Sequence, residues 1–165
     1  GMHELTECMR QLNCRLILVG TFEEEDAVSA SDKDFLTTSE KVKFVGWQSD
    51  VRPFLAQADA LVFPSYREGF PNVPMQAGAM GLPCIVTNIN GCNEIIKDGL
   101  NGKIIAAPLT EGSEAMQQAL LNTMKWFIEH PEEAKRMGRN ARPMICERYE
   151  QKDIWKALKE FYDAL

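Results

Sequence analysis

The sequence predicts an α/β domain built on a doubly wound parallel sheet and closed by helices at its carboxyl end. Three observations carry this. Short apolar runs of strand length recur as far as Ala106, helical segments separate them, and beyond Pro108 the pattern is helical throughout. At 165 residues, 45% hydrophobic and 25% charged, the chain suits one globular domain with a sizeable core, and two full domains would be cramped.

The elements follow in order. Leu5 to Leu12 has helical spacing, and Arg15-Leu16-Ile17-Leu18-Val19-Gly20 reads as a parallel strand buried on both faces and closed by glycine. Residues 21 to 31, with Glu23, Glu24, Glu25 and Asp26, read as an exposed loop. Asp32-Lys33-Asp34 follows that acidic stretch rather than an apolar strand and reads as a solvated charge cluster. Val42 to Gly46 is a second strand; Ser49 or Asp50 then caps a helix to about Gln57, with Pro53 in its first turn. A third strand at Ala60 to Pro64 precedes a helix over Asn72 to Met80 and a strand over Pro83 to Thr87. A short helix at Asn93 to Lys97 and a strand at Lys103 to Ala106 complete the alternation. Helices near 111 to 129, 131 to 147 and 151 to 164 should cover the sheet. In the last, Ile154, Trp155, Leu158, Phe161, Tyr162 and Leu165 fall at helical spacing as a core-facing stripe.

Charge and composition exclude several classes. A net charge of -6 and a pI near 5.0 argue against general affinity for nucleic acid or an anionic membrane, either of which needs a basic patch. The five cysteines have no zinc-ligand spacing and read as small buried hydrophobes in a reduced, cytoplasmic compartment, Cys84 most clearly. No run is long and apolar enough to span a bilayer and no leader is recognisable, so the chain reads as soluble. Gly1 before Met2 reads as the scar of a cleaved tag. Neither histidine has a catalytic partner in sequence, His130 before Pro131 reading as a helix-end residue. Neither a dinucleotide fingerprint nor a P-loop occurs.

The chemistry concentrates in Pro64-Ser65-Tyr66-Arg67-Glu68-Gly69-Phe70-Pro71-Asn72-Val73-Pro74-Met75-Gln76-Ala77-Gly78, a strand end, a loop and a helix start. Doubly wound sheets bind ligands at such carboxyl ends. A helix starting near Asn72 offers unpaired N–H groups and a positive dipole end to a diphosphate. Pro71 and Pro74 lack the donor, leaving the N–H groups of Asn72, Val73 and Met75. Taken alone, Glu68 reads equally as a solvated loop carboxylate and Gln76 as a surface helix residue.

This segment resembles the E-x7-E signature of retaining GT-B glycosyltransferases, glycosyltransferase family 4 in particular, with Glu68 at the first acidic position and Gln76 in place of the second. The resemblance implies that Glu68 is the catalytic residue that holds the sugar hydroxyls, that the backbone of Gly69 and Phe70 approaches the sugar, and that the Asn72 and Val73 N–H groups hold the diphosphate. Gln76 would meet the ribose hydroxyls; its amide both donates to and accepts from a diol, where a carboxylate only accepts. Val45-Gly46-Trp47 resembles the family's F-x-G strand end, where Gly46 and Trp47 would read the base, while packing under the loop is an equal account of Trp47. Asp59 to Ser65 resembles the strand that delivers the acidic loop, and Gly78, Ala79 and Gly81 should keep the next helix close to the sheet. Asn90-Gly91-Cys92-Asn93-Glu94 resembles the G-G-x-x-E block, with Asn90 for the first glycine in a left-handed turn. Glu94 would lie near the nucleotide or cap its own helix. Asp98-Gly99-Leu100-Asn101-Gly102 matches the D-G-x-N-G turn that follows. These matches run in family order from Cys14 to about Tyr149.

The resemblance implies a Rossmann-like carboxyl-terminal half of a GT-B fold, binding a nucleoside-diphosphate sugar of UDP or GDP type. The implied reaction is retaining transfer to a hydroxyl of a glycan or lipid-linked acceptor, at the cytoplasmic face of the membrane, in surface polysaccharide or glycoconjugate synthesis. No metal or other cofactor is expected; helix dipole and basic side chains take that role. By the same likeness the amino-terminal acceptor domain lies outside this chain, as do an Arg and a Lys preceding the domain's first helix, so the chain is expected to be inactive alone. Two alternatives stay open: a nucleotide-sugar epimerase on the same architecture, and a non-enzymatic α/β module such as a receiver-like domain.

Overall fold

The structure is a computed structural model that describes residues 1–23 and 28–164. Helix α1 (Met2–Gln11) leads into β1 (Leu16–Val19), α2 (Ala30–Thr38), β2 (Val42–Gly46), α3 (Arg52–Leu55) and β3 (Leu61–Phe63). There follow α4 (Asn72–Ala79), β4 (Cys84–Thr87), α5 (Cys92–Ile95), β5 (Gly102–Ile105), α6 (Pro108–Glu111), α7 (Ser113–Glu129), α8 (Pro131–Tyr149) and α9 (Gln151–Asp163). The strands pair in parallel within two groups, β1 with β2 and β3-β4-β5 with β4 in the middle.

β4 explains why the sheet is doubly covered. Ile85 joins a cluster with Leu5, Cys8 and Met9 of α1 and Met116 and Leu120 of α7. Its neighbours Cys84 and Val86 point the other way, into a cluster with Ala77 of α4, Ile95 of α5 and Ile145 of α8. Side chains alternate across a strand, so an uninterrupted apolar run buries both faces. All four β4 residues are buried.

Helix α4 crosses α8 closely. A Cβ on Gly78 would sit 2.7 Å from Ile145 Cγ1, so this glycine brings α4 against α8 rather than, as the sequence suggested, against the sheet.

Several expectations need correction. β1 is only half-buried along its length, and among the described residues only β2 pairs with it. Within the segment read as an acidic loop, Glu24 to Asp26 lie outside the described residues, but Ser29 caps α2, its side chain accepting from Asp32 N–H at 3.1 Å. Asp32 is not solvated: it is 3% exposed, and its carboxylate accepts from Ser29 Oγ at 2.9 Å and pairs with His3 Nδ1 at 2.8 Å. Burial alone would raise its pKa; the bonds from His3 and Ser29 and the charge of Arg10 outweigh that and hold it low. α7 matches the expected helix near 111 to 129 within two residues, and Gly112, with φ of 94°, separates it from α6, a short turn of helix the sequence reading did not foresee. His130 ends α7 as expected and stacks on Trp126 at 4.7 Å.

The largest departure is α9. No residue of it is buried, and Ile154, Trp155, Leu158, Phe161 and Tyr162 stand 44–64% exposed; Leu165 lies outside the described residues. Its helical period is as expected, but among the described residues the stripe is buried against no core. Among the described residues no helix is long and apolar enough to cross a membrane.

Cys8, Cys84 and Cys92 are fully buried, which raises the Cys8 and Cys84 thiols to about 12 and Cys92 to about 11. A thiol at about 12 leaves roughly one thiolate in ten thousand at pH 8. Brief alkylation of the native protein with iodoacetamide at that pH, read by mass spectrometry, should leave these three unmodified until the chain is unfolded.

Candidate functional site

The loop after β3 and the turn after β4 meet at one rim. The link is made in the core: buried Thr87, the last residue of β4, donates its hydroxyl to Ser65 C=O at 2.5 Å. Ser65 Oγ in turn donates to Glu68 Oε1 at 2.8 Å. Glu68 is half-buried at the rim, its carboxylate oriented by a hydroxyl whose backbone is tied to the sheet. That charge reaches Cys92: burial raises its thiol first, and the Glu68 carboxylate adds to the rise.

Gly91 makes the close approach possible. It has φ of 74°, and a Cβ there would lie 2.5 Å from Gly69 O and 2.6 Å from Pro71 Cδ. The left-handed residue of this block is therefore Gly91, and Asn90 keeps negative φ, contrary to the sequence reading. Only a residue without Cβ adopts this backbone without steric cost while another chain segment presses on it.

α4 begins at the end of the same loop with Pro71 in the N-cap position, and no side chain caps it. Its first N–H groups, those of Asn72 and Val73, are thus left to solvent or a ligand. Asn72, Val73 and Gln76 are exposed, as are Gly69 and Phe70. Glu94 is exposed and its Oε1 accepts the Gly91 N–H at 3.3 Å, so of the two roles open to it the geometry supports the capping one. Gly46 and Trp47 are carried by the other strand pair, at the end of β2. Gly46 has φ of 68°, and Trp47 is 71% exposed, not packed beneath the loop. The structure thus sets Glu68, Gly69, Phe70, Asn72, Val73 and Glu94 on the β3–β4 rim, carries Gln76 one turn further along α4, and leaves Gly46 and Trp47 at the end of β2 in the other strand pair.

Supporting residues went unread in the sequence. Tyr66 O–H donates to the Glu4 carboxylate of α1, and that bond, then burial, raises the phenol to about 12. Tyr149 at the end of α8 meets the Phe70 ring edge-on at 5.6 Å, and Arg148 Nη1 donates to Glu94 C=O at 2.8 Å. The Tyr149 hydroxyl is the one buried side-chain polar atom without a partner among the described residues. Pairings spanning 62, 54 and 22 positions leave no local pattern to read.

Residues 2–125 match the family model described as glycosyl transferases group 1. The chain belongs to that family. It is 27% identical over 169 residues to the capsular polysaccharide biosynthesis glycosyltransferase CapM of Staphylococcus aureus, covering 99% of this chain and 43% of that protein. It is 32% identical over 154 residues to the lipopolysaccharide core biosynthesis glycosyltransferase LpsE of Rhizobium meliloti, covering 92% and 45%. Among solved structures, Anabaena HepE in complex with UDP superposes with a TM-score of 0.86 at 26% identity, covering all of this chain and 45% of that one. HepE in complex with UDP-glucose gives 0.83 at the same identity. The fold of this group 1 chain is therefore that of the carboxyl-terminal half of a GT-B glycosyltransferase. The chain spans less than half the length of these relatives.

Gly91→Ala should destabilise the domain by about 1–3 kcal/mol, through backbone strain plus collision with Gly69 and Pro71. Gly112→Ala, at φ 94° and ψ 154° with nothing within 4 Å, should cost only the backbone strain and no collision. Urea unfolding of both variants checks the difference.

Proposed function

We propose that this chain is the donor-binding domain of a glycosyltransferase that moves a sugar from a nucleoside-diphosphate sugar to an acceptor hydroxyl. The observation that carries it is the rim itself: a carboxylate oriented by Ser65 beside the uncapped start of α4, in a family member that superposes on a protein solved with UDP and UDP-glucose. In the reaction the bond between anomeric carbon and diphosphate oxygen breaks, the diphosphate departs with the electron pair, and the acceptor oxygen bonds the carbon and loses its proton.

Each group then has a task. The Asn72 and Val73 N–H groups and the α4 dipole receive the diphosphate and stabilise the charge that grows on it as it leaves. Glu68 accepts hydrogen bonds from sugar hydroxyls and fixes the anomeric carbon before the acceptor. Gln76 holds the ribose diol, and Gly46 with Trp47 meets the base. Glu94 acts on the site through the turn it caps. Transfer proceeds with retention and without a metal or other cofactor. The rest of the longer protein supplies the acceptor half, and the acceptor is a glycan or a lipid-linked molecule at the cytoplasmic face of the membrane. The curated names of CapM and LpsE support polysaccharide or lipopolysaccharide synthesis as the setting. The spacing from Glu68 through Gln76 and the family match favour transfer over epimerisation.

Calorimetric titration of the domain with UDP, GDP and ADP at millimolar concentration should give saturable binding of one diphosphate in preference to the others. Gln76→Ala should weaken it about 3- to 10-fold, the worth of one lost hydrogen bond. Equal, non-saturating heats with all three, found again with the full-length protein, would refute the donor site. Glu68→Ala in the full-length enzyme should lower kcat by about 100-fold or more, while changing domain stability by less than about 1 kcal/mol. Wild-type turnover in that variant would remove Glu68 from the reaction.

A further inference from the structure

Glu4, in the first turn of α1, is 4% exposed and is one of two buried carboxylates among the described residues. The other, Asp32, is met by His3, Ser29 and Arg10. Glu4 takes its hydrogen bond from the acidic loop itself: Tyr66 O–H donates to Glu4 Oε1 across 62 positions of sequence. A buried carboxylate costs free energy unless it is bonded, and an apolar pair of similar volume often serves folding as well. What the polar pair adds is direction, because a hydrogen bond fixes its partners in distance and angle where apolar packing does not.

The place of Tyr66 in the loop gives that direction a use. Its side chain packs against the cluster shared by α1 and α7, which holds Leu5, Met9, Met116 and Leu120. Ser113, at the start of α7, approaches the same phenol and opposes the rise in its pKa. On the other side of β4, Phe70 meets Tyr149, which packs against the cluster of α4, α5 and α8. The loop is therefore held from both helical layers, through Tyr66 on one and Phe70 on the other. Glu68 lies midway, two residues from each anchor, flanked by exposed Arg67 and Gly69. Glycine at 69 gives the segment no stiffness of its own.

We propose that Tyr66 and Glu4 are a positioning pair for Glu68: their hydrogen bond holds the α1 side of the acidic loop and so sets the direction from which the Glu68 carboxylate meets the transferring sugar. The inference rests on the donor reading of Glu68 given above. Neither member of the pair touches the sugar. The diphosphate groups at the start of α4 lie beyond the Phe70 anchor, so loss of the pair slows transfer and leaves donor binding in place. Misplacing a reacting group by an ångström costs on the order of 100-fold in rate.

In the full-length protein, release of nucleoside diphosphate from UDP-, GDP- and ADP-linked hexoses gives kcat and KM. Tyr66→Phe, which keeps the ring and removes the hydroxyl, should lower kcat by about 10- to 100-fold with the donor KM within about threefold. Glu4→Leu should do the same, whereas Glu4→Gln should recover most of the rate, since its amide oxygen accepts the same bond. Combining Glu4→Leu with Tyr66→Phe should slow the enzyme no further than either change alone, as two halves of one contact require. A second measurement needs no donor. Trypsin acting on the native protein should cut after Arg67 at least about tenfold faster in Tyr66→Phe and Glu4→Leu than in wild type or Glu4→Gln, with cleavage after Lys125 on α7 unchanged. Unchanged cleavage at Arg67 in Tyr66→Phe would overturn the proposal. So would a Tyr66→Phe enzyme that keeps its kcat while Glu68→Ala loses it, and so would equal losses in Glu4→Gln and Glu4→Leu, which would assign the effect to charge. Wild-type turnover in Glu68→Ala would instead sink the donor reading on which the pair's purpose rests.

Discussion

The burial of β4 between two parallel neighbours is the constraint on which the rest depends. With β3 on one edge and β5 on the other, the β4 main chain is saturated, and the side chains of Cys84, Ile85 and Val86 divide between two helical layers. Fully burying such side chains contributes about 1.5–3 kcal/mol each. Parallel pairing also brings the loops that follow β3 and β4 out on the same side. The acidic loop and the Gly91 turn become neighbours through sheet topology, and the Thr87 hydroxyl fastens one to the other.

α8 is the strut behind that rim. Its residues donate to carbonyls at the ends of α4 and α5 and in the turn beyond α5: Arg142 to Ala79, Arg148 to Glu94, Arg136 to Gly99 and Asn140 to Leu100. Helix ends and turns leave carbonyls without intrahelical partners, and of these four bonds only that of Arg136 is both charged and partly buried, where such a bond is worth about 1.5–3 kcal/mol. Gly78 lets α4 approach this strut, and Tyr149 carries the support up to Phe70. The loop bearing Glu68 is held from the sheet by Ser65 and Thr87 and from the helical layer by Tyr149.

Strands and motifs were legible to different depths. β1 through β5 were readable within a residue or two because parallel strands need near-continuous apolar runs. The start of α4 was readable because Pro71 and Pro74 bracket it. α2 was missed because its two large apolar residues, Phe35 and fully buried Leu36, are adjacent and set no helical period, and its first turn carries the charges of Asp32, Lys33 and Asp34. The stripe on α9 was read correctly as a stripe and wrongly as core, since periodicity reports that a face is apolar and not what it meets.

By itself the sequence determined the local features: which runs become parallel strands, where glycine and proline end or start helices, and that Glu68 and Gln76 sit eight positions apart across a loop and helix start. Each depends on residues within a few positions of one another. Only the tertiary structure decided that Asp32 is buried against His3, that Gly91 rather than Asn90 takes the left-handed turn beneath Gly69, and that Glu4 and Tyr149 brace the acidic loop. It alone decided that the described strands pair as β1 with β2 and as β3, β4 and β5. These outcomes rest on approaches between segments tens of residues apart, and such contacts leave no periodic trace because each partner's local pattern is satisfied equally well without them.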